Sequence, residues 1–112
     1  MRQLSRLATA AISIGFLTLT PSGLVRAQND AEKLYKIHCV LCHAPDGSGS
    51  APTGKALKAE DLRSELLQKK TDTELAAAIT NGKGKMPAFA KKLKPDQIAQ
   101  LVAYIRALPK NK

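Results

Sequence analysis

The chain has no tryptophan, two tyrosines and two phenylalanines, so aromatic residues make up 4% of its 112 positions. An apolar core must then be built from leucine, isoleucine, valine and alanine, or be completed by something that is not protein. Cysteine is as scarce. Two residues permit at most one disulfide and exclude a disulfide-stapled scaffold. Acidic residues number 9 against 18 lysines and arginines, a formal charge of +9. No apolar run reaches the roughly 18 residues of a membrane span, which excludes a multi-pass membrane protein. No run alternates long enough for a strand and no segment repeats. The length allows one domain, not two.

What is present begins with an export signal. Arg2 and Arg6 precede an uncharged apolar stretch from Leu7 to Leu19, the length of a signal-peptide h-region and short for a spanning helix. Pro21, Ser22 and Gly23 break it, and Val25-Arg26-Ala27 suits signal peptidase, so residues 1–27 read as a cleaved leader and 28–112 as the mature domain. An uncleaved amphipathic anchor is the competing reading. From Gln28 onward 15 basic residues face 9 acidic ones, a net +6. A domain of that size has a marginal apolar core and often needs a cofactor or another staple.

The mature segment reads as short helices separated by loops. Gln28-Asn29-Asp30 offers N-cap residues for a helix through Ile37, with Ala31, Leu34, Tyr35 and Ile37 at helical spacing. Pro45 to Gly54 is rich in turn residues and reads as loop. Asp61 to Gln68 suits a short helix with Leu62, Leu66 and Leu67 turned inward. Thr71-Asp72-Thr73-Glu74 is a capping-box pattern ahead of a helix stopped by Asn81-Gly82. After a second loop to Leu93, Pro95 opens a helix whose Ile98, Leu101, Val102, Ile105 and Leu108 form one apolar face. The fold class is all-α.

One pentapeptide carries most of the chemistry. Cys39-Val40-Leu41-Cys42-His43 is C-x-x-C-H, the attachment sequence for c-type haem. Residues three and four apart share a helical face. Cys39 and Cys42 can therefore form thioethers to two vinyl positions on one porphyrin edge, while His43 brings its imidazole to the iron. A thioredoxin-like redox pair would need a preceding strand and a βαβ setting that the chain lacks. A zinc site would have to recruit His38 and crowd four ligands into one and a half turns. His38 reads as a surface or propionate-side residue. Once the leader is removed, Met86 is the one methionine left. It stands in the loop Gly82-Lys83-Gly84-Lys85-Met86-Pro87-Ala88-Phe89, off any apolar helical face. Glycines there allow close backbone approach to a flat cofactor, and Pro87 stiffens the bend. Core filling is the ordinary role of a lone methionine, but this position suits the sixth iron ligand. His/Met ligation leaves no vacant coordination site and favours electron transfer over catalysis.

With these motifs in place, the segment from about Asp30 to Leu108 resembles the class I c-type cytochromes, the small monohaem family, in its bacterial and photosynthetic-lumen members. The resemblance implies the cytochrome c fold, with first and last helices crossing where Ala31, Tyr35 and Cys39 meet Leu101, Tyr104 and Ile105; Ala31 stands where the family usually has glycine. It implies one covalent haem c per chain and one-electron carriage between redox complexes. It also implies a proline carbonyl that accepts from the second nitrogen of the axial imidazole, for which Pro52 fits better than Pro45. Leu57, Leu62, Leu66, Leu75, Ile79, Phe89, Leu93, Ile98 and Leu101 are candidates to line the haem or to pack between helices.

Lys83, Lys85, Lys91, Lys92 and Lys94 flank the methionine loop. They serve solubility, or they steer redox partner proteins with acidic docking surfaces. Nucleic acid is not an expected partner, since the chain has no basic recognition helix and no stacking aromatics. The expected protein is an exported monomer without stable membrane insertion and not an enzyme. Its compartment is the periplasm, or a thylakoid lumen reached by a similar signal. Two other readings stand beside the free carrier: a haem subunit docked on a dehydrogenase or oxidase, and a ligand-binding or peroxidase-like haem protein.

Overall fold

The computed structural model describes Gly15 and residues 22–109; most of the predicted leader lies outside these. Among the described residues there are six helices and no strand: α1 Ser22–His38, α2 Val40–His43, α3 Pro52–Leu57, α4 Glu65–Gln68, α5 Asp72–Asn81 and α6 Pro95–Ala107. The all-α expectation holds.

The two long helices α1 and α6 pack together and frame the core. At their contact the Tyr35 and Tyr104 rings lie 4.9 Å apart, tilted by 39°. Ala31 is 3% exposed, so its small side chain sits inside the crossing. Tyr35, Leu101, Val102 and Ile105 continue the buried seam and join Leu62, Leu67, Leu75, Ile79, Phe89, Leu93, Ile98 and Leu108 in one cluster. Arg106, near the end of α6, ties this helix to the α4–α5 turn. It donates to the carbonyls of Gln68 (2.8 Å) and Lys70 and pairs with Asp72 at 2.9 Å.

Local chemistry explains where the elements start. Thr71 Oγ1 accepts from the Glu74 N–H at 3.1 Å while Glu74 accepts from the Thr71 N–H at 2.7 Å, the reciprocal cap expected for α5. Pro95 occupies the first turn of α6, where its missing N–H costs nothing.

Three expectations need correction. Helix α1 begins at Ser22, not after Gln28-Asn29-Asp30, because nothing at those three positions obliges an uncut helix to stop. The segment Pro45–Gly54 is not loop throughout: Pro52 opens α3, its fixed φ suiting a first helical turn. In the third case Ser64 caps α4 by accepting from the Leu67 N–H at 3.3 Å. The helix therefore starts at Glu65 rather than Asp61, and that phase buries Leu67 while leaving Leu66 77% exposed. Leu57, at the end of α3, is exposed as well, whereas Leu62, Leu75, Ile79, Phe89, Leu93, Ile98 and Leu101 are buried as predicted.

Candidate haem site

The attachment pentapeptide starts where α1 ends. The Cys39 N–H still bonds the Tyr35 carbonyl at 2.9 Å, and the chain then rewinds into the single turn of α2, with the His43 N–H on the Cys39 carbonyl at 2.8 Å. Both cysteines are free thiols and half-buried. Burial, then the neighbouring Cys42, pushes the Cys39 thiol up to about 11. A redox C-x-x-C pair needs a thiolate with a lowered pKa, so this environment is unlike that of a thioredoxin-type pair. Among the described residues no cluster of histidine, cysteine and carboxylate could hold a metal ion on its own.

The exit from α2 is fixed from both sides. Ala44, directly after His43, takes φ 62° and ψ 164°, a backbone region costly for a residue with a Cβ. The buried Tyr35 hydroxyl donates to its carbonyl at 2.8 Å, and burial raises the Tyr35 pKa well above its usual value of 10. A neutral phenol thus holds the strained residue in place. From there the loop folds back: the Gly49 N–H bonds the His43 carbonyl at 2.9 Å and the Leu62 N–H bonds the Gly47 carbonyl at 2.8 Å.

His43 Nδ1 lies 3.1 Å from the carbonyl oxygen of Glu60. This corrects the sequence expectation for Pro52. Pro52 is the first residue of α3, so its carbonyl belongs to that helix, and the acceptor comes from the turn beyond it. Burial lowers the His43 pKa, with the Glu60 carbonyl opposing the shift. A neutral imidazole donating from Nδ1 presents Nε2 as its free lone pair, the form a metal-binding histidine takes.

Met86 sits in a tight turn. Lys83 and Met86 exchange main-chain hydrogen bonds, Lys83 N–H to Met86 carbonyl at 3.1 Å and Met86 N–H to Lys83 carbonyl at 3.0 Å. Gly82 makes the turn possible at φ 75°, where a Cβ would lie 2.6 Å from the Met86 carbonyl oxygen. The Met86 side chain is half-buried against the core cluster. The Phe89 N–H bonds Ile79 and the Ala90 N–H bonds Thr80, which anchors the far end of the loop on α5. His38 does not join the site: its ring meets Phe89 edge-on at 5.8 Å.

Among the described residues the segments of His43 and Met86 are connected by the ion pair between Glu60 and Lys83, 3.6 Å long. Glu60, the hydrogen bond of the Tyr35 hydroxyl, and Gly54, where a Cβ would fall 1.9 Å from the Cys42 carbonyl oxygen, are what sequence reasoning missed. A lone glutamate acting through its main chain leaves no trace in a sequence, and Gly54 looked like one more turn glycine.

Two free thiols on one helical turn, followed by an imidazole whose Nδ1 faces a carbonyl, are the arrangement that covalent attachment of a haem calls for. The family described as cytochrome c oxidase, cbb3-type, subunit III matches residues 26–105. Cytochrome c6 of a Picosynechococcus species is 33% identical over 110 residues, covering 94% of this chain and 92% of that protein. Cytochrome c6 of Gloeothece citriformis is 34% identical over 102 residues, covering 90% and 88%. The solved c-type cytochrome KustC0563 superposes with a TM-score of 0.67 at 32% identity, over 72% of this chain and 99% of that one. The chain belongs to the small class I c-type cytochromes. It binds haem c covalently and carries electrons.

Proposed function

We infer that this cytochrome is an exported one-electron carrier with His/Met axial ligation. Cys39 and Cys42 hold the haem by thioethers, His43 Nε2 is the proximal ligand and Met86 the distal one. The haem supplies the one-electron redox couple, and the protein sets its potential and its exposed surface. The observation that carries the reading is the committed Nδ1 of His43. It fixes ring orientation and leaves one nitrogen for iron, while Met86 is the one remaining soft donor on a turn built for close approach.

Export is supported by the burial pattern of α1. Of the described side chains between Gly23 and Asp30 none is buried, and the first buried one is Ala31. Cleavage after Ala27 therefore takes no buried side chain from among the described residues. The periplasm is the compartment this signal suits, a thylakoid lumen being reached by a similar one. Among the described residues no helix is long and apolar enough to cross a membrane.

The partners in this reading are redox proteins with acidic docking surfaces that meet the lysines around the Met86 loop. A monomer that carries electrons without substrate chemistry of its own suffices for that role. A second reading, a haem subunit docked on a larger redox enzyme, is supported by the family description, which names an oxidase subunit. A size-exclusion profile of native extract separates the two, since a free carrier elutes at its own mass.

The deciding experiment is an absorption spectrum of the matured holoprotein, oxidised and reduced. Methionine ligation is expected to give the weak long-wavelength band of a sulfur-to-ferric-iron bond, lost in Met86→Ala while covalent haem is retained. Covalent haem without that band in the wild type would take Met86 off the iron.

A further inference from the structure

Glu60 makes two contacts, one toward each ligand-bearing segment. Its main-chain oxygen lies 3.1 Å from His43 Nδ1, and its carboxylate Oε1 lies 3.6 Å from Lys83 Nζ. Lys83 exchanges both main-chain hydrogen bonds with Met86. The contacts form a continuous series from His43 through Glu60 and Lys83 to Met86. Both ends of the loop are anchored on α5, through Gly82 to Ala78 and through Phe89 and Ala90 to Ile79 and Thr80, but its tip has little else to hold it. A Cβ on Gly84 would meet open space, and Lys85 and Pro87 are exposed. A thioether is a neutral, weak donor, so the restraint on its loop governs how often it leaves the metal.

Resting on the axial pair inferred above, we propose that Glu60 is a positioning residue whose carboxylate straps the Met86 loop, through Lys83, to the same segment that orients His43. The strap is exposed: the Lys83 and Glu60 side chains are 57% and 54% accessible. An anion that takes Lys83 from Glu60, such as a partner carboxylate or salt, releases it. Docking at the lysine patch is thereby felt at the methionine ligand, and the ligand loop is loosest when an acidic partner is bound.

The test is displacement of Met86 by imidazole in the oxidised holoprotein, followed by stopped flow above the imidazole pKa. The incoming ligand is then neutral and is not steered by surface charge. Glu60→Gln and Lys83→Gln are each expected to speed entry by about two- to five-fold, the range of an exposed ion pair. The double variant should be no faster than either single one, and Lys83→Arg, which keeps the pair, should retain the wild-type rate. High salt should bring the wild type to the variants' rate and leave the variants unchanged.

Simple removal of charge would move Glu60→Gln and Lys83→Gln in opposite directions or not at all, and either result overturns the strap. Thermal melts verify that each rate is read on folded protein. The sulfur-to-iron band of the wild type, recorded first, keeps the two failures apart. Its absence overturns the axial assignment and the strap together, whereas its presence with unmoved rates overturns the strap alone.

Discussion

At the scale of single residues, the tightest constraint on the site belongs to a glycine. A Cβ on Gly54 would stand 1.9 Å from the Cys42 carbonyl oxygen and 2.8 Å from that of Gly49, both main-chain atoms that no rotamer change can move. Helix α3 is therefore pressed directly onto the turn that carries Cys42 and His43. Gly54→Ala must push α3 away or twist α2. The expected cost is about 2–3 kcal/mol, the upper range for forced overpacking, read as a lower urea midpoint of the purified holoprotein. The displaced backbone belongs to the attachment turn, so the haem-to-protein ratio of the expressed variant should fall as well. An alanine variant with wild-type stability and full haem content would mean that α3 stands off the turn.

The five attachment residues are contiguous and their chemistry is dictated by spacing, so the site was half legible before any fold was known. What the sequence hid is everything that acts across distance through main-chain atoms. The acceptor for His43 is Glu60, 17 residues away, and its role uses an oxygen that every residue type possesses. Pro52 was the candidate because the family resemblance implies a proline carbonyl at that distance past His43, but its place at the start of α3 commits its carbonyl elsewhere. The Tyr35 hydroxyl on Ala44 was hidden for a similar reason: helical spacing identified the ring as core and said nothing of the bond at its tip.

Among the elements, those bounded by strong local signals were readable and the others were not. Thr71 and Glu74 cap α5 by short-range bonds that need no tertiary partner, and Pro95 starts α6 on its own φ. Helix α4 was misplaced because its start depends on Ser64 and on Asp61 being engaged by Arg63 through paired contacts of 3.0 Å. With the later start Leu67 stays in the core as expected, while Leu66 turns out to solvent.

The α5 cap yields a prediction with a pH signature. Thr71→Ala is expected to lower stability by about 1 kcal/mol. The Glu74 carboxyl is held below its ordinary 4.5, first by the Thr71 N–H and then by the Thr71 side chain. Because its folded pKa is the lower one, this contribution is complete above the unfolded value and is lost as pH falls through the folded value. Unfolding midpoints measured from neutral pH down through the carboxylate range should therefore drop less steeply in Glu74→Gln than in the wild type. Parallel curves would show that the cap carries no proton linkage.

For the molecule as a whole, charge is the organising quantity. The chain carries +9, and part of that excess surrounds the turn that carries Met86. Lys83, Lys85, Lys91, Lys92 and Lys94 are all exposed. Lys83 pairs with Glu60 and Lys92 lies 5.8 Å from the Phe89 ring centroid, while Lys85, Lys91 and Lys94 form no ion pair among the described residues. Exposed, unpaired cations contribute little to stability but project a field about a Debye length into solvent, roughly 10 Å at 0.1 M salt. Their effect belongs to encounter rather than to folding. Oriented toward an acidic partner, such a patch raises association at low salt by about ten-fold or more. The second-order rate of electron transfer with an acidic redox protein should accordingly fall steeply as salt is raised. Exchange with a neutral small-molecule reductant should stay flat, because it feels neither attraction nor repulsion. Replacing Lys85, Lys91 and Lys94 with glutamine should flatten the protein-partner curve at its low-salt end and leave the small-molecule rate unchanged. A salt-independent rate with the acidic partner would assign these lysines to solubility and place docking on another face.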